Sequence, residues 1–211
     1  MPSSDGSTGR VWYAAYGSNL DPARFDCYLL GGCPPGATRD YPGTRDAAGA
    51  EDTRASRLPG QVVFGWESPT WGGGGIAFHV PDAEGEVPAT CYLLTHRQFS
   101  DVLEQEMWRS PGADHDLAEV LATGRAAIGP GRYETLRLAG ELDGHPVLTF
   151  TAPEPPAPNP PAGAYLATMA GGLRAVHGLS DDEIADHLLA CRGARPRWDR
   201  DSVLAAIAPV A

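Results

Sequence analysis

The sequence predicts an α+β fold, a β-rich core over residues 10–151 followed by a wholly helical C-terminal segment. Three observations predict it. Up to residue 151, short runs rich in β-branched and aromatic residues are separated by Gly- and Pro-rich breaks. At Thr95 the apolar period becomes helical, with Phe99, Val102, Leu103 and Glu106 at i, i+3, i+4 and i+7. Residues 153–161 are proline except at Glu154, Ala157 and Asn159, and every pattern beyond them is helical. The domain reading is a disordered tail over residues 1–9, a core over 10–152, a Pro-rich linker over 153–163 and a helical extension over 164–211 packed on the same domain.

Each element follows from local chemistry. Residues 10–16 read as a strand; Asp21 is an N-cap and Pro22 an N1 residue, and Phe25, Tyr28 and Leu29 recur at helical spacing up to Gly31-Gly32. Residues 33–58, rich in Gly, Pro, Asp and Arg, read as mostly loop. Strands are expected over 61–66, 76–80 and 89–94, then a helix over 95–108 capped by Thr95 and a short helix over 117–126. Two further strands, 133–138 and 145–151, flank a hairpin-like stretch at 140–144. The C-terminal helices fall at 164–176, at 180–191 with Ser180 as cap and Glu183 at N3, and at 199–207. They pack on the core or against a partner, which leaves a homodimer open.

Composition excludes several functions. A net charge of −11 argues against nucleic acid and against an anionic membrane as partners. All 16 basic residues are arginine, so neither a Schiff-base lysine nor a phosphate-binding P-loop lysine is present. The first nine residues lack the apolar stretch of a signal peptide and no run is long enough to span a bilayer, so the expectation is a soluble, cytoplasmic protein. Cys27, Cys33, Cys91 and Cys191 form no C-x-x-C pair and read as structural thiols.

Tyr16-Gly17-Ser18-Asn19-Leu20 follows an apolar strand and precedes a helix N-terminus. Small residues there leave backbone N–H groups open, and the helix dipole adds to the attraction for an anion. Glu106 falls on the apolar stripe of its helix, where an unpaired carboxylate is costly, so it is either paired with arginine or functional. Glu104 reads as a solvated face residue. Asp114-His115-Asp116 resembles a ligand set for metal, yet adjacent loop residues rarely converge on one ion; no metal is expected. His79, His96, His145, His177 and His187 have no ligand spacing, and Ser18 lacks the glycine two residues on that a nucleophile elbow needs.

Together with the Tyr16–Leu20 motif, three later stretches are similar, in the same order, to the γ-glutamylcyclotransferase-like family: Trp71-Gly72-Gly73-Gly74-Gly75-Ile76-Ala77, Glu104-Gln105-Glu106 and Gly131-Arg132-Tyr133. The resemblance spans residues 11–151. It implies a small mixed β-barrel flanked by helices, whose cavity holds a γ-glutamyl amine or amide. The substrate's α-amine attacks its own γ-carbonyl, a 5-oxoproline ring closes and the amine leaves; no cofactor is implied. Tethering supplies much of the entropic part of the barrier, and one carboxylate in a poorly solvated cavity can serve both proton transfers. On this resemblance Glu106 is the acid/base, Tyr16, Gly17, Ser18, Asn19 and Leu20 hold the substrate carboxylate, and Tyr133 walls the cavity or hydrogen-bonds the substrate. The chain departs from the family's small members in the stretch 107–129, read as a lid, in its C-terminal helices, and in Phe150 where a tyrosine is frequent. Other readings are amide hydrolysis or acyl transfer, a deacetylase-type activity, and a non-catalytic module for a carboxylate ligand.

Overall fold

The strand Arg10–Ala15 (β1) is buried at every residue after Arg10, as a strand covered on both faces must be. In the computed structural model, which describes residues 9–34 and 39–209, β1 lies inside a six-stranded sheet. The expected polar tail falls outside the described residues apart from Gly9. The sheet order is β2 (Asp52–Pro59), β5 (Glu86–Thr95), β1, β8 (His145–Thr151), β7 (Thr135–Leu142) and β6 (Arg125–Ala127). The pair β1–β8 is parallel and the other pairs are antiparallel. A separate hairpin joins β3 (Gln61–Gly65) to β4 (Ile76–Val80). The fold is thus mixed α+β, and the hydrogen-bonded order of the large sheet ends at β2 on one side and β6 on the other.

Helices form where the caps sit. Asp21 accepts from the Ala23 N–H at the start of α1 (Pro22–Leu30), with Pro22 in the first turn. Thr95 and Gln98 make a reciprocal capping box on α2 (His96–Glu106). After α3 (Ala118–Thr123) come α4 (Gly163–His177), α5 (Asp181–Ala190) with its Ser180–Glu183 box, and α6 (Arg200–Ile207) with an Asp199–Ser202 box.

Three elements differ from expectation. The last part of the stretch read as loop is β2, paired with β5 from Asp52↔Leu93 to Pro59↔Glu86. It is a polar, largely exposed edge strand whose sequence carries no alternation; its partner imposes the conformation. Residues 125–127 are β6 and not the end of a helix, because Gly124 in the left-handed region stops α3 and the chain then pairs with β7. Tyr133 lies before β7, not in it.

The Pro-rich run is extended and lies along the β3–β4 hairpin: Pro158 bridges Gly65, Pro161 bridges Gly75, and the Asn159 N–H donates to the Phe64 carbonyl. It delivers α4 onto the turn that follows β1. Gly172 makes that contact possible, because a Cβ there would overlap the Leu20 carbonyl carbon. Helix α4 therefore packs on the core at the motif itself.

Candidate active site

Ser18–Leu20 form a single 3-10 turn between β1 and α1. The sheet pins it from below: the Tyr92 hydroxyl donates to the Asn19 carbonyl (2.8 Å) and the Thr90 hydroxyl to the Leu20 carbonyl (2.9 Å). Gly17 leaves room for the Tyr165 hydroxyl of α4, which would lie 2.8 Å from a Cβ. That hydroxyl accepts from the Ala77 N–H (2.9 Å), and the backbone of Ser18 is a further partner. Burial pushes the Tyr165 hydroxyl up to about 12 despite these hydrogen bonds, so it stays neutral at physiological pH.

Asn19 is 4% exposed and donates its amide to Glu106 Oε1 at 2.8 Å. Glu106 is the last residue of α2 and half-buried. Arg132 donates to the Glu106 backbone carbonyl and so holds the end of the helix. A second layer fixes the same end. Arg109 bridges Glu104 (2.6 Å) and the buried Glu134 (2.5 Å), while His115 Nε2 sits 2.7 Å from Glu104 Oε1. Asp101, fully buried one turn earlier, takes Arg45 through its backbone and its guanidinium, both at 2.8 Å.

Arg24 of α1, only 4% exposed, lines the same cavity as Glu106. It donates to the Tyr41 hydroxyl at 2.9 Å and stacks 4.8 Å from the Trp71 ring, yet its Nε and Nη1 have no hydrogen-bond partner. Burial opposes its charge, but nearby Tyr28, Tyr41 and Glu106 outweigh that and raise its pKa. Ser18, Arg24, Trp71, Glu106, Arg132 and Tyr165 line one narrow cavity of about 40 Å³. Trp66 and Trp108 stand at its mouth.

No family model matches the sequence. Among solved structures, a γ-glutamyl cyclotransferase superposes with a TM-score of 0.52 at 17% identity, over 93% of this chain and 98% of that one. The fold is that of a γ-glutamylcyclotransferase. The uncharacterized protein loc79017 from Homo sapiens superposes at 0.51 with 17% identity over 93% and 98% of the two chains. YkqA from Bacillus subtilis does so at 0.50 with 17% identity, over 87% of this chain and 55% of that one. A curated relative, histone deacetylase 5 of Arabidopsis thaliana, is 32% identical over 194 residues, covering 82% of this chain and 29% of that protein. The chain thus spans less than a third of the length of that relative.

Within this cyclotransferase-like fold, the residues singled out in the sequence are distributed unevenly around the cavity. Ser18 and Glu106 line it, and Asn19 touches Glu106. Tyr16 and Tyr133 spend their hydroxyls on the Phe150 and Ala77 carbonyls, both at 2.8 Å, and Leu20 is fully buried in the core. At the N-terminus of α1 the Asp21 side chain accepts from the Ala23 N–H, and Tyr165 stands at the Ser18 backbone. Asp114, His115 and Asp116 diverge to Arg45, Glu104 and the first turn of α3, and the described residues hold no group of three metal-ligating side chains. Among the described residues no helix is long and apolar enough to cross a membrane. In the stretch 107–129, Trp108 reaches the mouth of the cavity and β6 extends the sheet.

Arg24 and Tyr165 were not among the residues singled out in the sequence. Arg24 had a local signal: it falls four residues before Tyr28 and so shares its face of α1. Tyr165 had none, since only the fold brings α4 to the turn.

Proposed function

We propose that the chain is a γ-glutamylcyclotransferase-type enzyme that converts a γ-glutamyl amide to 5-oxoproline and a free amine. The observation that carries this reading is one cavity bearing a carboxylate, Glu106, held by Asn19, and a buried guanidinium, Arg24, with two of its nitrogens unpartnered. A buried cation with unused donors suits a substrate carboxylate, and Ser18 of the turn lines the same space.

With the α-carboxylate at Arg24 and Ser18, the α-amine and the γ-carbonyl are folded towards Glu106. Glu106 takes a proton from the α-ammonium; the amine nitrogen then attacks the γ-carbon and the lactam C–N bond forms. As the amide C–N bond breaks, Glu106 returns the proton to the leaving nitrogen. No protein nucleophile is required, because the attacking group is tethered to its target. The 40 Å³ cavity is smaller than ligand pockets of several hundred Å³, so the γ-glutamyl head enters by displacing side chains at the mouth. Arg132, half-buried between the Trp66 and Trp108 rings, edges that mouth.

The test is product identity. Incubation with a panel of γ-glutamyl compounds, read by mass spectrometry, yields 5-oxoproline on this reading. Free glutamate would mean hydrolysis, and tight binding without turnover across the panel would mean a binding module.

A further inference from the structure

The mouth of the Glu106 cavity carries features that access alone does not require. Of the three described non-glycine residues with positive φ, one, Asp143, lies in the β7–β8 turn; the other two are Trp66 (φ 58°) and Trp108 (φ 60°). A bulky residue in the left-handed region is strained, and such strain concentrates at binding sites. Here it turns two tryptophans towards each other, ring centroids 6.3 Å apart at 71°, with 37% and 47% of their surfaces exposed. The Arg132 guanidinium lies 4.7 Å from one ring and 4.9 Å from the other.

Beside the cavity, past Trp108, lies an open groove of about 440 Å³ lined by Arg39, Pro69, Thr70 and Trp108. Thr70 and Trp108 line both spaces, so groove and cavity adjoin. The Arg39 guanidinium lies 5.3 Å from the Trp108 ring. Its lining is one cation and an apolar wall without a carboxylate, in a chain whose net charge is −11.

We propose that this groove is the leaving-amine subsite and that it selects an aromatic α-amino acid, its ring on Trp108 and its carboxylate at Arg39. The inference rests on the cyclotransferase reading: with the α-end of the substrate at Arg24 and its γ-carbonyl at Glu106, the amine side runs out past Trp108. A small amine leaves the apolar wall wet. A polyamine or a basic amino acid meets Arg39 and Arg132. An aromatic ring with a carboxylate satisfies both the wall and the cation.

The test is calorimetric titration of the Glu106→Gln protein, which leaves substrates intact, with γ-glutamyl-phenylalanine, γ-glutamyl-alanine and γ-glutamyl-phenethylamine. The phenylalanine compound should bind about five- to tenfold more tightly than the alanine compound, as expected for one aromatic contact. It should also exceed the phenethylamine compound, which lacks the second carboxylate. Adding Trp108→Ala should abolish the first preference and adding Arg39→Gln the second. The three-ligand comparison on the intact groove holds even if Trp108→Ala folds poorly. Equal binding of the phenylalanine and alanine compounds overturns the proposal; 5-oxoproline release by the unaltered enzyme would still uphold the cyclotransferase reading. Failure of all three to bind also overturns the proposal, and the product panel with the unaltered enzyme then decides the cyclotransferase reading.

Discussion

Asn19 donates its side-chain amide to Glu106 at 2.8 Å, joining the turn after β1 to the end of α2 across 87 residues of sequence. The turn motif thus acts on the carboxylate directly. Tyr92 and Thr90 hold the turn's carbonyls, Asn19 holds Glu106, and Arg132 holds the helix end from the other side.

If Asn19 positions Glu106, Asn19→Ala should lower kcat by roughly ten- to a hundredfold with little change in KM, since a displaced acid/base costs rate and not binding. Steady-state release of 5-oxoproline measures it. A rise in KM with unchanged kcat would place Asn19 at the substrate instead.

Arg24→Gln should do the reverse. Loss of a charged partner for the substrate carboxylate should raise KM by roughly ten- to a hundredfold. Circular dichroism controls for the loss of the Trp71 stack. An unchanged KM would remove Arg24 from substrate binding.

Gly172→Ala should destabilise the fold by about 1–3 kcal/mol, because the new methyl meets the Leu20 backbone, which cannot swing aside as a side chain can. Urea denaturation measures the loss, and activity should fall with it as the turn moves. Gly171→Ala is the control, its new methyl meeting the Asp21 carboxylate at 3.2 Å. Equal, small effects at both positions would contradict the close contact between α4 and the turn.

Acid should weaken the fold through α5. Burial, aided by Arg57 and His177, lowers His187 to about 4 from an ordinary value of about 6.5. Between these values the unfolded chain binds more protons than the folded one, so stability rises with pH in that window and is lost as pH falls through it. The urea midpoint should drop between pH 6.5 and 4, and His187→Gln should flatten the drop. A midpoint independent of pH in both proteins would contradict it.

The elements legible in the sequence are those written in local chemistry. Asp21-Pro22, Thr95 with Gln98, and Ser180 with Glu183 each close a helix end with their own side chains, so their helices start where expected. β2 and β6 were not legible, because only pairing with β5 and β7 makes those residues strands. The site divides the same way. Asn19 and Glu106 stand in readable motifs, whereas Arg24, Tyr165, Trp66 and Trp108 reach the cavity from four separate segments that only the tertiary fold brings together. At the start of α1 the Asp21 side chain accepts from the Ala23 N–H, as an N-cap aspartate does.

The most direct measurement is 5-oxoproline release by the Glu106→Gln protein. Glutamine keeps the shape and can still accept from Asn19, but it cannot carry a proton between the two nitrogens. The account predicts a fall in turnover of at least about a hundredfold with substrate binding retained. Turnover within about twofold of the unaltered protein would contradict it.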